Sequence, residues 1–564
     1  MLTDRLTEGV RTALAAAGLP EAADCLWEIP RQSEHGDYAT NTAMVLARAA
    51  RRPPRQIAEL IVRNFPALPE VQRLEIAGPG FLNVFLSPVW CAETLRAILA
   101  AGADYGRGHG EGGRRLRLEF VSANPTGPLV IVNARAAAIG DALARLLRSQ
   151  GAGVTTEYYV NDAGTQFEAL ARSFEARVRQ ELGETVPFPE KGYPGEYLID
   201  LARMFLAEQG IGEGAGLERW ARASRGDLRS ALGRYAVNRM VEGQRRVLGD
   251  YGVAFDVWSS EQRDVRDRDL PERVIDELAK RDLTYQEDGA LWFRSTRFGD
   301  DKDRVLRRSN GELTYFAVDI AYHHFVKFAD ADRLVALMGP DHHGHIARMR
   351  AAMQALGRSP DAVEILIVQL VTLLRDGQPV RMSKRRGEFV LMEELIEEVG
   401  RDAARFTFLM RRHDSPLDFD LGLATRQSAD NPVYYVQYAH ARIRSIRRQI
   451  AEQAIDVPRE WSAVSLDSLR LPEELAIMKR LVEYPALVAG AARALEPHRI
   501  AYWLFELAGL FHPYYKAHRV IQPERDLMLA RLALCTAVGN VLGNGLGLLG
   551  VSAPEAMTRE PEVG

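Results

Sequence analysis

Asn124-Pro-Thr-Gly-Pro-Leu-Val-Ile-Val-Asn-Ala-Arg135 lies where one hydrophobic periodicity gives way to another, and that junction decides the fold. Before it, residues 116–121 (Leu-Arg-Leu-Glu-Phe-Val) alternate with period two, as a strand does. After it, Ile139, Leu143, Leu146 and Leu147 recur at helical spacing until Gly151, and residues 154–160 predict a second strand. Strand, tight turn, helix and strand make a βαβ unit. Its turn sits at the C-terminal end of the first strand, where open parallel sheets bind ligands. Pro125, Gly127 and Pro128 restrict the turn, and the helix behind it would aim free N–H groups and a positive dipole end at a bound phosphate. An ordinary βα turn without a ligand has the same pattern, so this stretch alone leaves function open.

Working outward, residues 1–87 read as a small α/β unit, with helices over 3–18 and 42–51 and a turn into an apolar strand at 76–84. A helix at 88–101 and the Gly-rich stretch 102–113 link it to a parallel-sheet unit over 114–425, which carries a charged, helix-rich insertion at 165–250. Residues 304–309, Asn310-Gly311 and 312–316 predict a hairpin with a two-residue turn. Strands at 333–338 and 363–370 flank a helix at 344–357. Residues 432–564 are almost wholly helical, interrupted by a polar stretch near 452–471.

A chain of 564 residues is too long for one core, and 47% hydrophobic with 26% charged residues is the composition of a soluble globular protein. Met1-Leu2-Thr3-Asp4-Arg5 has no apolar leader, and no apolar run approaches the ~20 residues that span a bilayer, so a cytoplasmic protein without a membrane partner is expected. Cys25, Cys91 and Cys535 are far apart, which argues against a zinc site or a disulfide framework. There is no Gly-x-x-x-x-Gly-Lys-Ser/Thr P-loop. A net charge of −4 leaves nucleic-acid binding to local basic patches.

Three further clusters could carry chemistry. Residues 381–386 form a basic loop closed by Gly387, either a solvated charge run or a mobile loop that sets Lys384 on the β- and γ-phosphates of a nucleotide. Asp341-His342-His343-Gly344-His345 could bind metal as in Asp-His-His phosphoesterases, but the Asp-rich motifs such an enzyme needs on other strand ends are missing. Tyr315 and Asp319 lie four apart and can face one pocket, where Asp319 or Glu119 would suit a guanidinium.

The 124–135 turn and the later Arg381-Met382-Ser383-Lys384-Arg385 resemble the paired ATP-binding signatures of class I aminoacyl-tRNA synthetases. The motifs between and around them narrow the resemblance to arginyl-tRNA synthetases. These include His35-Gly36-Asp37-Tyr38-Ala39-Thr40-Asn41, Glu157-Tyr158-Tyr159-Val160-Asn161-Asp162, Asp288-Gly289-Ala290-Leu291-Trp292 and Asn431-Pro432-Val433-Tyr434-Tyr435. The resemblance covers essentially the whole chain. It implies an N-terminal tRNA-binding domain, a Rossmann-type catalytic domain and a C-terminal helical-bundle anticodon-binding domain. It further implies ligation of L-arginine to its tRNA through arginyl-adenylate, with ATP and Mg²⁺, no resident metal ligands in the protein, and a monomer. By motif position, Glu119, Asn124, Tyr315 and Asp319 would hold arginine. Val130, Val132, Asn133, Asp341, His342, Met382, Ser383 and Lys384 would surround ATP, with Asn133, Ser383 and Lys384 closest to the chemistry. Tyr38, Asn41, Tyr435, Tyr438 and Arg442 would touch tRNA. Val130 stands where the family has a signature His, and Val132 and Ala136 where it has Gly. The alternative attached to these departures is a synthetase-derived protein that binds tRNA or arginine without efficient adenylation.

Overall fold

The computed structural model describes residues 2–22, 25–30, 32–224, 227–380 and 390–557. At its centre is a five-stranded sheet built from β4 (Arg115–Glu119), β5 (Gly153–Val160), β6 (Val257–Ser260), β10 (Arg333–Met338) and β11 (Val363–Ile367). Every pairing is parallel, and the strand order is β11-β10-β4-β5-β6. The crossover from β4 runs to β5 on one side while β10 lies on the other, so the strand order reverses between β4 and β10. Such a switch point opens a crevice at the strands' C-terminal ends. Glu119 is the last residue of β4, in register with Ala336 of β10 and Glu157 of β5.

The predicted βαβ unit is present, with its helix at Ile131–Ser149. The apolar face packs so closely that a Cβ on Gly140 would lie 2.1 Å from the Phe120 ring, which requires glycine there. Arg135 is fully buried in the same helix. It donates from Nη1 to the Gln369 and Leu370 carbonyls (2.9 and 3.3 Å) and from Nη2 to those of Arg412 and Ser415 (both 2.8 Å). Burial, followed by nearby Arg411, pulls its pKa down to about 10.

In the N-terminal unit, β1 (Tyr38–Thr40), β2 (Val71–Ala77) and β3 (Phe81–Leu86) form an antiparallel sheet in the order β1-β3-β2. Gly36 enters β1 with φ +84°, and any Cβ there would sit 2.7 Å from the Val84 carbonyl. A second antiparallel sheet of β7 (Thr284–Glu287), β8 (Ala290–Phe293) and β9 (Arg304–Arg307) lies between β6 and β10. Here the predicted hairpin is present but shortened. The Arg308 N–H donates to the Glu312 carbonyl and the Thr314 N–H to the Leu306 carbonyl (both 2.9 Å) around a bridge between Arg307 and Leu313. The second strand ends there because the Thr314 hydroxyl caps a helix at Tyr315–Ala321 by accepting from the Ala317 N–H (3.4 Å). The strand expected over 363–370 also stops early, at Ile367, and β12 (Val371–Arg375) belongs to a small sheet with β13 (Gln378–Pro379) and β14 (Leu417–Asp420).

The charged insertion is four helices, Gly164–Glu181, Tyr197–Gln209, Gly214–Ala223 and Leu228–Asp250. The C-terminal unit is built on four long helices: Pro432–Glu452, Pro472–Ala494, His498–Ala517 and Arg525–Leu548. The last is long and apolar enough to cross a bilayer, contrary to the sequence reading that no run approaches that length. It is nevertheless a core helix, with 78% of its most apolar window buried in the bundle. One continuous apolar cluster joins sheet residues such as Leu118 to bundle residues such as Leu481 and Leu534.

Candidate functional site

The crevice at the switch point is floored by charged side chains from four elements. Immediately after β4 the backbone turns through Val121 (φ +68°) and Ser122 (φ +38°), conformations that L residues rarely adopt and that cost roughly 1–3 kcal/mol each. Local bonds over-determine the turn. Ser122 Oγ donates to Glu119 Oε1 (2.8 Å) and accepts from the Tyr159 N–H (3.1 Å). The Asn124–Pro128 loop beyond is braced by the insertion: Gln244 Nε2 donates to the Asn124 and Gly127 carbonyls (3.3 and 3.2 Å), and the Tyr197 hydroxyl donates to the Thr126 carbonyl.

Glu119 is buried, and its Oε2 forms an ion pair with Lys327. Lys327, itself 1% exposed, also lies 3.2 Å from His323 Nε2 and over the Tyr322 ring. His323 Nδ1 donates to the Asp319 carbonyl (2.8 Å), which leaves Nε2 as the acceptor facing Lys327. Burial, and then the charge of Lys327, holds His323 neutral. Glu261 is satisfied by Arg266 (2.6 Å) and by the Tyr159 hydroxyl (2.8 Å).

Asp319 differs from both. About a third of its side chain (32%) reaches the crevice and the rest is enclosed. Its nearest basic group is His345 Nε2 at 3.7 Å, beyond hydrogen-bond range. Arg348 donates to His345 Nδ1 (3.0 Å), and burial with Arg348 pushes the imidazole down to about 3, so it is neutral. Withdrawal from water and the negative field of Glu261 push the Asp319 carboxyl up to about 7, opposed by the more distant Lys327 and Arg348. Tyr315, one turn earlier on the same helix, is 49% exposed at the rim, its hydroxyl 2.6 Å from that of Thr165.

The signature turn departs from the sequence reading in one respect. Its helix end is not a set of free donors. The Val130 N–H donates to Asn133 Oδ1 (2.9 Å), the Ile131 N–H to the Val390 carbonyl (3.1 Å), and the Asn133 N–H to the Val130 carbonyl (2.8 Å). Asn133 therefore caps the helix with its oxygen, while Val132 points a 37% exposed side chain outward. Asp341 and His342, both exposed, lie on a cavity of about 470 Å³ that also touches Arg304, His345 and Arg348. Met382, Ser383 and Lys384 lie outside the described residues.

The structure thus ties Glu119 to Asp319 through Lys327 and His323 and sets Tyr315 one turn before Asp319, places Asn124 in the loop after β4, and puts Asp341 and His342 on the cavity beside His345. Sequence reasoning missed Lys327, His323, Glu261, Arg266 and Arg348. The spacing of Asp319, His323 and Lys327 at i, i+4 and i+8 was the one readable signal, since helical spacing places such residues near one another, here along a segment that passes from α- to π- to 3-10 helix.

The residues expected to touch tRNA divide. Tyr38 is 6% exposed with its ring in the core, which removes it as a surface contact. Its neighbour Asp37 pairs instead with Lys479 of the helical bundle (2.9 Å). Asn41 is half-buried before the Thr42–Ala50 helix. Tyr435 packs on His512 and Phe505 (ring centroids 4.4 and 5.3 Å). Arg442 lies between the rings of Tyr438 (4.3 Å) and Tyr515 (5.2 Å) and bonds His512 Nδ1 (2.9 Å).

Comparison with known proteins covers the chain from end to end. Residues 4–86 match the family described as Arginyl tRNA synthetase N terminal domain. Residues 94–415 match tRNA synthetases class I (R), catalytic domain, and 436–557 match DALR anticodon binding domain. An arginine--tRNA ligase of Desulforamulus reducens is 47% identical over 538 residues, 95% of this chain and 94% of that one. One from Syntrophotalea carbinolica is 49% identical over 534 residues, 94% of each chain. The Thermus thermophilus arginyl-tRNA synthetase structure aligns with a TM-score of 0.77 over 99% of this chain and 100% of that one, at 23% identity, a likeness of fold.

Proposed function

This chain belongs to the arginyl-tRNA synthetase family, and from that premise we infer that it joins L-arginine to tRNA at the expense of ATP. In this reading the arginine carboxylate attacks the α-phosphorus of ATP, pyrophosphate leaves, and a terminal ribose hydroxyl of tRNA then takes the arginyl group and releases AMP. The observation that carries it is the open carboxylate of Asp319 on the floor of the switch-point crevice, 32% exposed and without a cation of its own. A planar guanidinium supplies the missing charge and matches carboxylate geometry with two parallel N–H groups.

Asp319 takes the guanidinium, Glu119 offers further acceptor capacity behind it, and Tyr315 and Asn124 line the mouth. ATP lies across the signature turn, with Val130, Val132 and Asn133 on one side and Asp341 and His342 on the other. By motif position, Met382, Ser383 and Lys384 belong with its phosphates. Mg²⁺ would accompany ATP and supply positive charge for the phosphate chemistry. The tRNA partner lies along the helical bundle near Tyr435, Tyr438 and Arg442, with Asn41 contributing from the N-terminal unit. A cytoplasmic location, a monomeric state, independence of membranes and domain limits of 1–87, 114–425 and 432–564 belong to the same proposal. The reading of a non-adenylating derivative is not favoured, because the relatives of similar length are ligases by name.

The test is ATP–pyrophosphate exchange with arginine, with and without cognate tRNA. Arginine- and tRNA-dependent exchange is the expected result; its absence under both conditions would overturn the reading.

A further inference from the structure

The charges around the crevice do not contribute equally to it. Glu261 is paired with Arg266 at 2.6 Å and hydrogen-bonded by the Tyr159 hydroxyl at 2.8 Å, so it has a counter-ion of its own although its field still reaches Asp319. Glu119 spends one oxygen on Lys327 and the other on the Ser122 hydroxyl at 2.8 Å. Arg348 is turned onto His345, 3.0 Å from its Nδ1, which leaves a neutral imidazole as the group nearest Asp319. Among the described residues, Asp319 is thus the one carboxylate of the three without an ion-pair partner of fixed charge.

We propose that Lys327 is a positioning and specificity-determining residue: a built-in counter-ion that cancels the charge of Glu119, so that the pocket presents one uncompensated carboxylate to one substrate cation. This rests on the arginine-binding reading of the crevice and deepens it. Glu119 keeps acceptor capacity for a guanidinium N–H, but its charge is already balanced.

The geometry fits that office. The Lys327 ammonium is too buried to reach solvent, at 1% exposure, so its position is fixed by its three neighbours. One is the Glu119 carboxylate, one is the Tyr322 ring at 4.8 Å, and the third is His323 Nε2 at 3.2 Å. The backbone carbonyl of Asp319 selects the His323 tautomer that can accept from Lys327, so the helix that carries Asp319 also holds the lysine in place. Two bare carboxylates in one low-dielectric crevice would instead share a proton and bind a single guanidinium poorly at neutral pH. The charged and titratable groups facing Asp319 are Glu119, Glu261, Tyr159, Lys327, His323, His345 and Arg348. Of these, Lys327 with Glu119 forms the pair that can be removed without adding net charge.

The test follows arginine binding by calorimetry between pH 5 and 9 in the full-length protein, alongside KM and kcat for arginine. Lys327→Met strips Glu119 of its counter-ion. The midpoint of the pH dependence should rise by about one unit, which is a roughly tenfold loss of affinity at pH 6, with the effect on KM rather than kcat. Glu119→Gln, which leaves Lys327 uncompensated, should move the midpoint downward. The double variant Lys327→Met with Glu119→Gln removes both charges and should return the midpoint to the wild-type position. Midpoints that do not move in opposite directions in the two single variants, or a double variant that fails to restore the profile, would overturn the proposal. Should Lys327→Met not fold, the direction of the Glu119→Gln shift decides alone. Wild-type protein that binds no arginine at any pH would overturn the arginine-binding reading instead.

Discussion

His345 Nε2 stands 3.7 Å from Asp319 Oδ2, and the two are not an ion pair: burial and Arg348 pull the imidazole down to about 3, so Asp319 faces an uncharged ring, while burial and Glu261 push the carboxyl up to about 7. An empty site at pH 6 therefore holds Asp319 mostly protonated. A guanidinium needs the ionised form, so binding must expel that proton. Arginine affinity is expected to rise about tenfold per pH unit up to about 7 and to level off above it. Isothermal calorimetry in two buffers of different ionisation enthalpy will show proton release below pH 7 and none at pH 9. Asp319→Asn should abolish the pH dependence and weaken binding by ~1.5–3 kcal/mol, the range for a hydrogen bond to a charged group.

The same carboxyl makes a prediction about stability with a definite sign. Its folded-state pKa lies above the unfolded value near 3.8, so the folded state holds the proton more tightly. Stability is then lost as pH rises from about 4 to about 7, and the loss persists above that. Asp319→Asn should raise Tm at pH 8 and leave it close to wild type at pH 4, so that the residue needed for substrate is one the fold would be more stable without.

Arg135 is expected to hold the base of the crevice together. Its guanidinium gathers four carbonyls from two separate segments, 369–370 and 412–415, at 2.8–3.3 Å. Arg135→Met leaves those acceptors buried without donors and should cost about 3 kcal/mol. Arg135→Lys should recover little of it, because a single ammonium cannot span both segments. Urea unfolding followed by the tryptophan signal will measure both.

Much of this arrangement was legible in the sequence where periodicity is strong. The alternation at 116–121 and the apolar helical repeat from Ile139 to Leu147 identified the βαβ unit, because a one-sided burial pattern leaves few alternatives. The hairpin over 304–316 is shorter than predicted for a local reason: Thr314 is compatible with a strand but here caps a helix, and only the packing of Phe316 and Ile320 in the core selects between them. Lys327, Glu261 and Arg348 carry no motif of their own. They become part of the site because β4, β6 and two helices converge, and that convergence is a property of the sheet order. Tyr38 was assigned by motif position alone, which carries no information on burial, and its ring lies in the core.

At the signature turn, the Asn133 side chain occupies the Val130 N–H and a carbonyl from residue 390 occupies that of Ile131. The helix end thus offers a nucleotide fewer donors than the motif requires, and Val132 adds a branched, exposed side chain. Val130→His with Val132→Gly is expected to raise ATP–pyrophosphate exchange by roughly 10²–10³, the typical worth of one transition-state donor. The check is exchange rate and ATP KM, measured with saturating arginine and tRNA, in the double variant and the parent.

Truncation near residue 430 cannot isolate the bundle's contribution to tRNA binding, because one apolar cluster runs from the sheet into the bundle and would be torn open. Point substitution is the better probe. Arg442 is held between Tyr438 and Tyr515 with His512 Nδ1 at 2.9 Å, so its guanidinium is pre-positioned at the bundle surface. Arg448, by contrast, already donates to the Glu555 carbonyl at 2.6 Å, and Arg444 pairs with the Glu555 carboxylate at 2.5 Å. If Arg442 holds a phosphate, Arg442→Gln should weaken tRNA binding and lower the slope of log affinity against log salt by about 0.7–0.9, the value of one counterion contact. Glu555→Gln should act the other way and strengthen tRNA binding at low salt by freeing Arg444. A salt slope unchanged in both variants would place tRNA on a different face of the bundle.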